Sequence, residues 1–177
     1  MIGAVRRLLA RLNGTAALPA DFAGALDPDE QVLAAGRGRS EPVVATHLGL
    51  WIGQRRVGWH LLSRATWDGR ALTLVEAAES GTAGGAVLLR DHPPQQIPLT
   101  EPGRLPEVVQ QRVTDSVRTR HHRGLPSGGA WFVQRRVPGQ DGVVLQVRPD
   151  EGTDEAELAA YAEKVAREIA RRTGGSR

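Results

Sequence analysis

Residues 58–74 read GWHLLSRATWDGRALTL, and the Asp68-Gly69 pair inside this stretch decides the fold class. Asp-Gly between two runs rich in Leu, Thr and Trp is a strong short-range signal for a β-hairpin. Glycine takes up the positive φ that a tight turn demands at no steric cost. A hairpin here makes the two flanking segments antiparallel neighbours, so the sheet is built from local returns rather than from helical crossovers.

Working outward, the neighbouring segments read the same way. QVLAAGRGR (31–39) and PVVATHLGLWI (42–52) are each predicted as one strand, bounded by Gly and Pro. GQRR (53–56) is predicted as a turn, and RALTLVEA (70–77) as the strand that follows the hairpin. ESGTAGG (79–85) reads as a flexible loop, with AVLLRDH (86–92) and QQIPLT (95–100) as two further short strands parted by Pro93-Pro94. Strands at spacings of roughly ten residues, with no helices between them, predict a sandwich or small barrel.

Beyond residue 104 the period changes. Pro106 suits the first turn of a helix. Leu105, Val108, Val109, Val113 and Val117 fall on one face, with Arg112, Ser116 and Arg120 inside the same arc. The reading is a helix over 105–121 whose last turn is RTRHHRG (118–124), stopped by Gly124. The cations of that turn would favour the carboxyl end of the helix dipole. AWFVQRRV and GVVLQVRP then form a strand pair, and a final helix begins at a capping box, Asp154 with Glu157. Its buried stripe is predicted as Leu158, Ala162, Val165 and Ile169. At the other end, Ile2, Val5, Leu8, Leu9 and Leu12 form the stripe of a short amphipathic helix over 1–14, followed by a loop over 15–29. The domain reading is therefore an amino-terminal helix (1–14), a β domain with its helix (30–123) and a strand–strand–helix extension (129–174).

VVATHLGLWI and GWHLLSRATWDGRALTL resemble the strands of bacterial pleckstrin-homology-like domains, and the resemblance covers about residues 30–121. It implies an α+β fold: a pleckstrin-homology-like antiparallel β-barrel or sandwich closed by an amphipathic helix, here with the carboxyl-terminal extension. Members of that fold family bind phosphoinositides, peptides or proteins, so the resemblance implies binding rather than catalysis. Basic loops between their early strands hold anionic headgroups, which makes Arg55 and Arg56 anion-site candidates. As a whole the chain also resembles actinobacterial proteins that carry such an extension.

Composition narrows the chemistry. The 177 residues include 40% apolar and 4% aromatic residues, with a net charge of +3. Cysteine is absent, which removes disulfides, thiolate metal sites and a thiol nucleophile. No G-x-S-x-G elbow, H-E-x-x-H pair or phosphate loop is present, so no cofactor and no metal are expected. Charge is unevenly placed: 104–136 holds seven arginines against two acids, whereas 149–163 holds six acids and no base. Binding candidates are accordingly Arg55, Arg56, Arg112, Arg118, Arg120, His121, His122 and Arg123. The expectation is a non-enzymatic interaction or scaffold module with a protein partner. Nucleic acid bound through the Arg104–Arg136 segment is one alternative, and an enzyme whose site no motif marks is another. A leaderless, cytoplasmic protein is expected, with the membrane surface not its partner. An open strand edge leaves a homodimer possible.

Overall fold

Asp68 and Gly69 turn the chain where the sequence places the turn. In a computed structural model describing residues 16–174, the Asp68 carboxylate accepts hydrogen bonds from the amides of Arg70 (2.8 Å) and Ala71 (2.7 Å). Gly69 takes φ +93°. The helix expected over residues 1–14 lies outside the described residues. The described chain is a mixed α+β structure, divided into two compact units. The first holds the residues up to Glu76 together with Pro93–Asp115, and the second holds Ala77–His92 with the chain from Ser116 onward. This division departs from the sequence-based boundary between 30–123 and 129–174, because residues 77–92 group with the carboxyl-terminal part.

The first unit contains β1 (Val32–Gly38), β2 (Pro42–Thr46), β3 (Gly49–Ile52), β4 (Arg55–Gly58), β5 (Leu62–Trp67), the first part of β6 (Ala71–Ala83), β8 (Gln95–Glu101) and helix α1 (Leu105–Ser116). Every pairing is antiparallel, in the order β4-β3-β2-β1-β8-β6-β5. Among the described residues β4 and β5 do not pair, so the sheet is not closed into a barrel. Val43, Leu50, Leu62, Leu72 and Leu74 fill its core, and Leu105, Val109 and Val113 enter it from α1. PVVATHLGLWI is two strands rather than one. The Thr46 hydroxyl accepts the amides of Leu48 and Gly49 (both 3.2 Å), and this local bond turns the chain between β2 and β3. Gly49 is required there, since a Cβ would stand 2.4 Å from the Val57 carbonyl oxygen.

A second apolar cluster lies against β1–β3. Val32, Val44 and Trp51 pack with Ala16, Phe22 and Leu26 of the preceding loop. Beneath it sits Glu30, whose side chain has no exposed surface. Its carboxylate accepts the Thr46 hydroxyl (2.5 Å), the Trp51 indole N–H (2.9 Å) and the Asp27 amide (3.1 Å), and it pairs with Arg56 (2.5 Å). Burial alone would raise the Glu30 pKa, but those hydrogen bonds and the Arg56 charge hold it below its ordinary 4.5.

The second unit takes the rest of β6, then β7 (Ala86–Asp91), β9 (Val117–Leu125), β10 (Gly128–Arg135), β11 (Val144–Pro149) and helix α2 (Glu155–Gly174). The strand order is β6-β7-β11-β10-β9, with β7 and β11 parallel and the other pairs antiparallel. β6 continues to Ala83 through the segment expected as a loop, and the turn is made by Gly84 and Gly85 at positive φ. One sheet face packs on α2: Ala86, Ala130, Phe132 and Val147 meet Leu158, Ala162 and the half-buried Tyr161 and Val165. Asp154 caps α2 by accepting the Glu157 amide (2.9 Å). The reciprocal half of the capping box is not formed, because the Glu157 carboxylate accepts the Ser127 amide (3.1 Å) and hydroxyl instead. No helix among the described residues is long and apolar enough to cross a membrane.

Candidate functional site

RTRHHRG does not end a helix. Helix α1 stops at Ser116, and residues 117–125 form β9, paired along its length with β10. The Ser116 carbonyl accepts the Arg136 amide (2.9 Å), which ties the end of the helix to the strand that follows β9. Gly124 is therefore a strand residue, and the turn lies at Leu125–Gly128. The cations expected to satisfy a helix dipole instead line a strand that, among the described residues, has a neighbour on one side only.

The register sorts them. His121 faces Phe132 across the pair and so lies on the α2 side of the sheet, whereas His122 faces Trp131 on the other side. Arg120, opposite Val133, shares the His122 side. Its guanidinium lies 4.0 Å from the centroid of the Trp131 ring, a cation–π stack. The His122 ring sits 5.0 Å from the same indole, and its Nε2 is 2.7 Å from Asp150 Oδ2. Gly129 makes room for that pair, since a Cβ there would come within 2.5 Å of Asp150 Oδ2. Arg118 stands at an irregularity in the β9–β10 register and is exposed, as is Arg123.

The α2 side of β9 bounds a cleft of about 340 Å³. Phe132 of β10 and Leu145 of β11 form its floor, and Tyr161, Val165 and Ile169 of α2 form its wall. His121, Arg123 and Arg172 stand at the rim, and the Glu168 carboxylate of that rim is already paired with Arg172 (2.7 Å).

The remaining candidates are placed differently. Arg55 and Arg56 lie on β4, not in a turn. Arg55 forms a bidentate pair with Glu76 (2.6 and 2.9 Å). Arg56 meets Asp27 (2.8 Å) and Glu30, with its guanidinium 5.5 Å from the Trp51 ring. Hydrogen bonds donated to these acids raise both arginine pKa values, led by the bond to Glu76 for Arg55 and to Asp27 for Arg56. Both heads are thus paired with carboxylates of their own unit. Arg112 is half-buried on α1 and belongs to the first unit, whereas β9 belongs to the second.

Arg135, part of the Arg104–Arg136 segment, and Arg148 were not among the binding candidates, and both belong to the second unit. Arg135 is 2% exposed, and burial lowers its pKa to about 10, with Arg148 and Arg120 lowering it further and Asp91 opposing them. Burial also lowers Arg148, whose Nε lies 3.6 Å from Asp91. Both stay charged at neutral pH. The other missed participants are Tyr161 and Ile169 of the cleft, and Trp131 as the partner of Arg120. For Trp131 and Phe132 the signal was present: adjacent strand residues face opposite sides, which sends one to the core and the other beside the cations.

The Ser127 hydroxyl accepts the Asp154 amide (3.0 Å) and binds Glu157, holding the start of α2. Among the described residues no three His, Asp or Glu side chains are placed to hold a metal ion. No family model matches this chain, and no curated protein or solved structure shows significant similarity to it.

Proposed function

We propose that the protein is a non-enzymatic interaction module of the cytoplasm, with a pleckstrin-homology-like first unit and a docking edge on β9 of the second. Seven antiparallel strands followed by one helix whose apolar face enters their core support the first part. The observation that carries the second is β9 itself: an end strand of nine residues, exposed from Arg118 to Gly124, with cations on both faces and an apolar cleft along one. Unpaired main chain at a sheet edge is a template for another chain.

Nucleic acid is the weaker reading of the same cations. Base stacking needs an available aromatic face, and the indole beside these cations is already stacked against Arg120. Fluorescence anisotropy with labelled single- and double-stranded oligonucleotides at low salt is expected to stay flat. Saturable binding that falls steeply with salt would reverse the order of the two readings.

The docking reading is tested by comparing proteins retained from the native host by the wild-type chain and by an Arg118→Glu/Arg120→Glu/Arg123→Glu variant of unchanged melting temperature. A reproducible set that the variant loses is expected. Identical retention by both chains sinks the assignment to β9.

A further inference from the structure

The edge, its charge and the cleft beside it also describe the partner. We infer that β9 and the cleft under α2 accept an extended, acidic segment of another protein, which joins the sheet of the second unit as an added strand. This rests on the reading of β9 as a docking edge and names the chemistry of what docks.

Nine residues of strand offer about 30 Å of main chain, at about 3.4 Å per residue, enough for a strand of ordinary length. A strand added there sends alternate side chains to the α2 side, where the floor of Phe132 and Leu145 and the wall of Tyr161, Val165 and Ile169 are apolar. Apolar residues at every second position suit that side. The edge itself carries Arg118, Arg120 and Arg123, none in an ion pair among the described residues, and no acid, and the Asp150 carboxylate beside it is already engaged by His122, so the remaining positions favour Glu or Asp. The one acid at the rim of the cleft, Glu168, is already neutralised by Arg172.

The same charge argues against the two other occupants. Pairing β9 with β9 of a second copy, parallel or antiparallel, sets cations opposite cations, which destabilises a ladder. Residues 1–15 of the chain itself carry Arg6, Arg7 and Arg11 and no acid, and so bring more positive charge to a positive rim.

The probe is a fluorescein-labelled octapeptide of alternating Val and Glu, titrated into the full chain. Two controls accompany it: the alternating Val–Lys peptide, and the Val–Glu peptide N-methylated on alternate amides, in both registers. Saturable binding of the Val–Glu peptide is expected. It should weaken about tenfold or more with the Val–Lys peptide, with one N-methylated register, and with an Ile169→Glu variant of the protein. Because N-methylation leaves charge unchanged, equal binding of both methylated registers and the parent peptide would overturn strand addition. Equal binding of the Val–Glu and Val–Lys peptides would overturn the acidic partner. Concentration-dependent dimers that an Arg120→Glu substitution alters would give the edge to a second copy. Tighter binding of a synthetic 1–15 peptide would give the cleft to the chain's own amino terminus, and either result overturns the inference. If host proteins still depend on the β9 arginines while the Val–Glu peptide fails to bind, β9 stays a docking edge and only the acidic strand is lost.

Discussion

Two strands of this molecule end their sheets, carry arginines and are solvent-exposed in part, yet their cations have opposite fates. On β4, Arg55 is gripped by Glu76, and Arg56 by Asp27 and the buried Glu30. On β9, Arg120 lies on an indole, and among the described residues no ion pair forms with Arg118, Arg120 or Arg123. Residue type and edge position are shared, so neither decides whether an arginine is structural. What decides it is the supply of carboxylates within reach. The loop before β1 and the middle of β6 bring acids to β4, whereas the acids near β9 serve other partners: Asp150 takes His122, and Glu157 takes Ser127.

The largest expected effect tests the β4 side. Glu30→Ala leaves Thr46, Trp51 and Arg56 without their common acceptor inside a cluster of low exposure, and should cost about 3 kcal/mol in urea denaturation. A loss below about 1 kcal/mol would mean that Glu30 does not anchor the strand. The same carboxylate gives a pH signature. Its folded pKa lies below the unfolded 4.5, so its contribution is complete above that value and fades as the pH falls through the folded pKa. The gap in melting temperature between wild type and Glu30→Gln should therefore narrow on acidification below 4.5. A constant gap would show that the carboxylate's charge plays no part.

Next come the arginines themselves. Arg56→Ala, which strands a buried carboxylate, should cost about 2 kcal/mol. Arg55→Ala removes a pair that water largely screens and should cost at most about 1 kcal/mol. If the two losses are equal, burial of the acid is not what separates them. Smallest of all, Arg118→Ala and Arg123→Ala should leave stability within about 0.5 kcal/mol of wild type. A larger loss from either would make β9 a second structural strand and erase the contrast with β4.

What could be read in advance follows the same physics. The hairpin at Asp68-Gly69 and the start of α2 at Asp154 were legible because turn and cap chemistry is local. β9 was not, because a strand exposed on both faces at a sheet edge has no apolar–polar alternation to show. Its arginines also continued the helical arc of Leu105, Val109 and Val113 closely enough to pass for a final turn. One local clue pointed the other way. Pro126-Ser127-Gly128-Gly129 is turn composition directly before the strand AWFVQRRV, and a hairpin there requires a partner strand of similar length just upstream. The break inside PVVATHLGLWI rests on a side-chain-to-backbone bond from Thr46 that composition does not display. The cationic stretch was recognisable as the place to look. Its division into an indole-facing set and a cleft-facing set needed the register with β10.

Strand β6 begins in one unit and finishes in the other, and the chain changes unit again at Pro93 and at Ser116. On the ribosome, β7 is therefore finished long before β11, its parallel partner, has been made. The nascent chain can complete the first unit while this half-built hairpin still offers a bare edge. Nor can a single genetic cut release either unit whole, since each is written in two separated pieces.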